Sequence, residues 1–344
     1  MTVESLLRAL GDEIEDAEEG KSLIALITLQ SFLLFSQPIP SQNLGFVDQS
    51  ATSIDLTIAG RDLTIYQSPT ILSSTRGGGT TGAVLWKITP LVATWLSSPT
   101  NPFTTHSIFT PSSTLLELGS GISGVIALAL SPSVSSYTLT DQSYVLKLLR
   151  QNISSNLPFT RKPKSSNSNP SKSKAKSKSK RGAAQAAAAE GGEGGEGGEG
   201  DSNIQIKTLD WETDEVAGLL PGGGSFDAVI ACDCIYNDAL IEPLVQACVD
   251  ACRLRESTRR LNQGDNTNPT NTTGEGGARG GGDAGGLGNL EGKAVCIIAQ
   301  QLRSDQVFEG WLTAFKESFR VWRVPDEVAG VGLRGGEGFV VHVA

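Results

Sequence analysis

Thr114-Leu115-Leu116-Glu117-Leu118-Gly119-Ser120-Gly121-Ile122-Ser123-Gly124 is the stretch whose reading decides the fold. An apolar run that breaks into three glycines and resumes as an apolar segment predicts a strand, a tight turn and a helix start. Gly119, Gly121 and Gly124 permit positive backbone dihedrals and let the main chain approach a ligand with no Cβ in the way. This geometry cradles a nucleoside cofactor. The spacing satisfies the dinucleotide pattern, so the glycines alone leave a nicotinamide and a sulfonium nucleoside both open.

Outward from that turn the pattern alternates strand and helix. The predicted strands are 114–118, 136–140, 203–209, 226–231, 293–299, 319–324 and 338–343, with helices over 122–130, 144–156, 239–255 and 305–315. Alternation of this kind predicts a mainly parallel sheet covered on both faces. Residues 325–337 between the last two strands show no helical pattern, so these two read as an antiparallel pair. The expectation is a Rossmann-like α/β sheet of seven strands with a reversed last strand. Upstream, an apolar run over 22–35 predicts a buried helix, and 53–58 with 62–66 around Ala59-Gly60-Arg61 predict a β-hairpin. The chain divides into an N-terminal helix and hairpin extension, 1–79, and a main domain, 80–344.

Two stretches within that domain lack the aromatic and branched residues that offset chain-ordering entropy: 160–201, with Lys/Ser repeats, an alanine run and Gly-Gly-Glu triplets, and 256–291, rich in Gly, Asn and Thr. They read as disordered insertions. The first holds nine Lys/Arg against five Asp/Glu, so the net charge of −9 conceals a body at −13. An acidic body suits a basic protein substrate better than nucleic acid, and the basic run 162–181 reads as a solvated linker, a nuclear address or an RNA-touching tail. The 22–35 run is shorter than the roughly 20 residues of a membrane span, contains Gln30 and follows acidic residues, so no membrane role is expected. Five cysteines sit in apolar segments without framework spacing, which suits a reduced intracellular protein. Cys248 and Cys252 lie one helical turn apart with no second pair to complete a zinc site, and His106 and His342 are isolated, so no metal is expected. The location expected is cytoplasmic, with the nucleus as the alternative.

In open α/β sheets, ligands bind beyond the carboxyl ends of the strands. Asp141 ends the second core strand, 20 residues after Gly121, where a carboxylate can accept both hydroxyls of a ribose. Glu117 stands two residues before the first glycine, where it can face a positively charged methionine moiety and would repel a pyrophosphate. Asp233 and Tyr236 follow the fourth strand, where the reacting centre would lie. No Tyr-x-x-x-Lys pair supplies hydride-transfer chemistry, so S-adenosylmethionine is favoured over a nicotinamide. Each residue also has a plainer reading: Trp86 and Trp211 as core, Asp233 as a helix cap, Tyr236 packed beneath the sheet.

These motifs resemble the class I lysine methyltransferases of the methyltransferase-like 21 type, also called methyltransferase family 16. The resemblance rests on Gly82-Ala83-Val84-Leu85-Trp86, Glu117 to Gly121, Asp141, Leu209-Asp210-Trp211 and Asp233 to Tyr236, and covers roughly 50–344. Within the family, Thr140-Asp141-Gln142 and Cys232-Asp233-Cys234-Ile235-Tyr236-Asn237 are similar to the fungal ribosomal branch. The resemblance implies cofactor contacts at Trp86, Gly119, Ser120, Gly121, Asp141, Trp211 and Cys232. It also implies monomethylation of a lysine on a large-subunit ribosomal protein. Asp233, drawing in and orienting the lysine, and Tyr236, lining its channel and accepting a hydrogen bond, are the expected catalytic residues, and a monomer is expected. A nicotinamide-dependent oxidoreductase and an inactive ribosome-assembly scaffold are the rival expectations.

Overall fold

The computed structural model describes residues 3–14, 23–40, 43–77, 79–157, 202–221, 223–262 and 292–344. Residues 3–157 and 203–344 belong to one unit. The basic run and most of both expected insertions lie outside the described residues. The second insertion begins later than its composition suggests, because residues 256–262 continue a helix.

Nine strands form: β1 (Ser53–Ile58), β2 (Arg61–Tyr66), β3 (Thr114–Leu118), β4 (Ser136–Asp141), β5 (Ile204–Thr208), β6 (Ala228–Cys232), β7 (Val295–Gln301), β8 (Trp322–Arg323) and β9 (Phe339–Val343). The helices are α1 (Val3–Leu10), α2 (Leu23–Phe35), α3 (Pro69–Leu72), α4 (Ile88–Leu96), α5 (Pro102–Thr105), α6 (Val125–Leu130), α7 (Ser143–Asn156), α8 (Ile241–Asn262) and α9 (Asp305–Lys316). The main sheet runs β5-β4-β3-β6-β7-β9-β8, parallel from β5 to β7, with β9 antiparallel to both of its neighbours. Seven strands with β9 reversed between β7 and β8 is the expected sheet.

Side-chain alternation along the strands builds a core on each face. Leu115, Ile230 and Ile297 pack with α4, α6 and α7 on one side, while Leu116, Val229 and Ile298 pack with α8 and α9 on the other. Polarity misleads at two ends. β7 extends to Gln301 because Gln300 and Gln301 are buried in register with Val340 and Phe339 of β9. β8 keeps only two paired residues, and its outer edge is met by Glu13, which bridges Trp322, and by Ile14, whose N–H donates to the Val321 carbonyl at 2.8 Å. An edge covered in this way offers no template for another strand.

The apolar run is helical over Leu23–Phe35 as expected but not wholly buried. Ile27, Ser31 and Leu34 are covered, while Leu29, Phe32 and Leu33 are 49%, 66% and 48% exposed. α2 packs along α9, so only one stripe is covered by described residues. The hairpin turns through Ala59 (φ 50°) and Gly60 (φ 72°), the two positive dihedrals of a type I′ turn. Its free edge is closed by side chains of α7: Asn152 and Asn156 each donate to and accept from the β2 backbone, at Tyr66 and Thr64, at 2.8–2.9 Å.

Candidate active site

The glycine turn follows β3 at the carboxyl edge of the sheet. Gly119, Gly121 and Gly124 have φ of 66°, 61° and 57°, as the sequence requires. A Cβ on Gly119 would stand 2.7 Å from Cys234 Sγ and 3.0 Å from Trp211 Cζ2, so the residue is closed to side chains twice over. Gly124 occupies the left-handed cap position, which is why α6 starts at Val125 and not at Ile122. The turn is pinned by Ser120 N–H to the Thr140 carbonyl at 3.0 Å and by Gly121 N–H to Asp141 Oδ2 at 2.8 Å.

These elements line a void that is open to solvent on one side and measures about 880 Å³ when the solvent at its mouth is included. All the residues singled out from sequence line it: Trp86, Glu117, Gly119, Ser120, Gly121, Asp141, Trp211, Cys232, Asp233 and Tyr236. Two of their plainer readings fail: Tyr236 is 39% exposed, and the cap before α8 is the side chain of Asn237, which accepts from Ala239 N–H at 3.2 Å. Trp211 faces the glycine turn and also packs against the core on the α8 and α9 side.

No Lys, Arg or His is among the described residues that line this void, yet four carboxylates are. Glu117 is buried, accepts the Tyr137 hydroxyl at 2.6 Å, and is pushed up to about 7 by desolvation. Asp141 is raised to about 6, again chiefly by desolvation, although it accepts two backbone N–H groups. Burial and the Glu117 carboxylate likewise hold the Tyr137 phenol well above its ordinary value. These two carboxylates are poised to take charge when a cation arrives.

Asp233 is not a free carboxylate. Its backbone lies at φ 61°, and both carboxylate oxygens are held by Arg303, Nη1 at 2.7 Å and Nη2 at 2.6 Å. Tyr236 hydrogen-bonds Thr81 Oγ1 at 3.0 Å, and burial raises its phenol. Trp86 donates from Nε1 to the Thr81 carbonyl at 3.0 Å and stacks on Phe46, with ring centroids 4.6 Å apart.

Sequence reasoning named the Gly82 to Trp86 stretch as a motif but missed how it ties the site together. Gly82 donates to the Tyr144 hydroxyl at 3.1 Å and accepts from Ile122 N–H at 2.9 Å, joining the Thr81–Trp86 stretch to the glycine turn. Burial pushes the Tyr144 phenol up to about 12, so it remains a protonated hydroxyl. Residues 44–47 strap across the same stretch, with Val47 N–H on the Leu85 carbonyl and Lys87 N–H on that of Gly45. Arg303 was missed too. The available signal was its place just beyond an apolar strand, at the edge where ligands bind.

The strand order and a glycine turn facing Asp141 across the sheet edge are those of the class I methyltransferase fold, whose usual cofactor is S-adenosylmethionine. The residues present fit that group: a cradle closed to side chains and buried carboxylates without a cation suit a cationic sulfonium nucleoside and oppose a pyrophosphate. The sequence model of one family, methyltransferase family 16, described as lysine methyltransferase, matches residues 66–167 and 196–258. These stretches make up just under half of the chain, and over them it resembles that family.

Among relatives, the chain is 30% identical over 204 residues to ribosomal lysine N-methyltransferase 5 of Zygosaccharomyces rouxii, covering 54% of this chain and 58% of the relative. It is also 39% identical over 114 residues to the diaminohydroxyphosphoribosylamino-pyrimidine deaminase of Schizosaccharomyces pombe, covering 33% of this chain and only 27% of that protein. The chain thus spans less than two thirds of either relative's length. Among solved structures, the N-methyltransferase NodS from Bradyrhizobium japonicum, in complex with S-adenosyl-l-homocysteine, matches with TM-score 0.33 and 11% identity over 71% of this chain and 87% of that one. A likeness that weak carries no argument, and the fold rests on the strand order.

Proposed function

We propose that this protein transfers a methyl group from S-adenosylmethionine to the side-chain amine of a lysine in a basic protein. The acceptor in this reading is a large-subunit ribosomal protein, singly methylated in the cytoplasm by a monomeric enzyme. The observation that carries the reading is a cavity lined by Glu117 and Asp141, with no cation among its described lining residues, that opens beside Asp233 and Tyr236. The name of the Zygosaccharomyces rouxii relative supports the choice of acceptor.

When bound, S-adenosylmethionine supplies a methyl group on a sulfonium that departs as a neutral thioether. The work of the chain is then alignment, since nitrogen, methyl carbon and sulfur must lie in one line at near-attack distance. Asp141 accepts the ribose hydroxyls while ordering the glycine turn through Gly121 N–H. Glu117 provides the counter-charge to the methionine end, and Trp211 and Trp86 pack against the nucleoside. The acceptor lysine has to arrive without its proton, because an ammonium with a pKa of roughly 10.4 has no lone pair. The half-buried mouth around Trp86 and Tyr236 depresses that value by desolvation. Asp233 offers a fixed carboxylate oxygen to an amine N–H, Tyr236 lines the entry, and the nitrogen's remaining proton passes to solvent.

Calorimetric titration of the full chain with S-adenosylmethionine and with NADH tests the cofactor, and the former is expected to bind. Labelled methyl transfer to large-subunit ribosomal proteins from cells lacking this gene tests the reaction. Preferential NADH binding would end the reading, and absence of label from a cofactor-binding protein would leave only a scaffold.

A further inference from the structure

Arg303 stands two residues beyond β7 and is held on every side. Beyond its two bonds to Asp233, Nη2 donates to Gln301 Oε1 at 3.0 Å and Nε to the Leu44 carbonyl at 3.4 Å, and the guanidinium carbon lies 5.0 Å from the Trp86 ring centroid. The bidentate fork is the stronger form of such a pair. Asp233 is fixed as firmly. Its side chain is 2% exposed, its N–H donates to the Ala299 carbonyl at 2.8 Å, and Oδ1 also accepts Gln301 N–H at 3.3 Å. A positive φ at a non-glycine residue is costly and is retained where surroundings over-determine it. A carboxylate built to capture an ammonium by charge would not be matched in advance by a guanidinium.

We propose, resting on the lysine methyl-transfer reading, that Arg303 is a positioning residue of the acceptor site. It orients the Asp233 carboxylate and cancels its charge, so that the site takes up the acceptor lysine as a free amine and not as an ammonium. The reason is elementary: an unpaired carboxylate beside the nitrogen stabilises the protonated form and raises its pKa, whereas a nearby cation lowers it. The paired carboxylate retains lone pairs that can accept one N–H and aim the nitrogen. The other titratable groups facing this space are Glu117 from β3, Asp141 and Tyr144 across the turn, Asp210 beyond β5, and Cys232, Cys234 and Tyr236 around the end of β6. They stay the same in every variant below.

The test is kcat as a function of pH for the full chain with saturating S-adenosylmethionine. Large-subunit proteins from cells lacking this gene serve as the acceptor, and S-adenosylhomocysteine affinity is measured alongside. Arg303→Gln should move the rising limb of kcat to higher pH by about one unit or more, an about tenfold loss near neutrality that narrows in alkali. S-adenosylhomocysteine affinity should stay within about twofold. Arg303→Lys, which keeps the charge and loses the fork, should leave the limb in place and lower kcat equally at all pH. Asp233→Asn should move the limb to lower pH, and the double variant Asp233→Asn with Arg303→Gln should return it towards the wild-type position. A loss in Arg303→Gln that is equal at every pH, or a limb in Arg303→Lys that shifts as in Arg303→Gln, overturns the proposal. Should Arg303→Gln fail to fold, seen as lost S-adenosylhomocysteine binding, the limbs of Arg303→Lys and Asp233→Asn decide. A wild-type protein that transfers no methyl group breaks the reading underneath, and wild type alone reveals that failure.

Discussion

The two halves of the cavity hold their carboxylates by opposite means. Over β3 and β4, Glu117 is buried and Asp141 half-buried beside hydroxyl and backbone donors, with no Lys, Arg or His among the described lining residues, and both are raised above the usual carboxylate range. At the ends of β6 and β7, Asp233 is buried but carries its own cation in Arg303. One half is therefore unsatisfied until a positively charged ligand enters, and the other is electrostatically complete beforehand. The difference matches the two tasks, since a sulfonium must be gripped by charge whereas an acceptor amine must be received without a proton.

The largest expected effect breaks the first half by geometry. Gly119→Ala forces a methyl to within 2.7 Å of Cys234 Sγ and places a side chain at φ 66°. Overpacking and left-handed strain together cost about 3 kcal/mol or more, about 100-fold in affinity. S-adenosylmethionine binding should fall by that factor or disappear in a calorimeter, while a cofactor affinity close to wild type would show that the turn does not contact the ligand.

Asp141→Ala should follow. It removes the acceptor for Gly121 N–H at 2.8 Å and the partner proposed for the ribose, with hydrogen bonds to a charged group worth about 1.5–3 kcal/mol. Cofactor affinity should fall by about 10- to 100-fold. If acceptor KM changes instead while cofactor affinity holds, the division of the cavity into two halves is wrong.

How far the sequence carried this contrast depends on the reach of the interactions. The glycine turn, Glu117 and Asp141 were legible because a parallel sheet forces the ends of consecutive strands together, and the turn's backbone demands are local. Asp233 and Tyr236 could be placed at the cavity for the same reason. What Asp233 touches was not legible. Arg303 lies 70 residues along the chain, and the Leu44 carbonyl that helps hold it lies 259 residues from Arg303. Strand ends misled where buried polar residues continue a ladder, as Gln300 and Gln301 do. The α2 run misled because composition reports that a helix is apolar and not how much of it neighbouring elements cover, so Phe32 was read as buried and is 66% exposed.

A smaller effect sharpens the contrast through stability. Glu117 titrates near 7 in the folded protein against 4.5 as its ordinary value, so the folded state holds that proton more tightly than the unfolded one. Its contribution is most favourable below pH 4.5 and is lost as pH rises towards 7. Glu117→Gln removes the penalty and can still accept from Tyr137. The ligand-free variant should be more stable than wild type at pH 8 by about 2 kcal/mol, a rise of about 3 °C in Tm, with no gain at pH 4. It should also bind S-adenosylmethionine less tightly. A gain of equal size at both pH values would mean that packing, not charge, is the cause. A corresponding gain is not expected for Asp233→Asn, which would leave Arg303 unmatched.

The smallest effect belongs to Tyr236→Phe. The phenol makes one hydrogen bond, to Thr81 Oγ1 at 3.0 Å, and the ring is 39% exposed, so the fold has little invested in it. Thr81 also carries the carbonyl that receives Trp86 Nε1, and its neighbour Gly82 receives Ile122 N–H from the glycine turn. The hydroxyl therefore sits where the acceptor half meets the segment that steadies the cofactor half. If Tyr236 serves only the acceptor, its loss should cost about 1 kcal/mol, a three- to tenfold fall in kcat/KM for the protein substrate with cofactor affinity unchanged. If cofactor affinity falls in the same proportion, the phenol acts through Thr81 on the glycine turn, and the two halves of the cavity form one mechanical unit despite their opposite electrostatics.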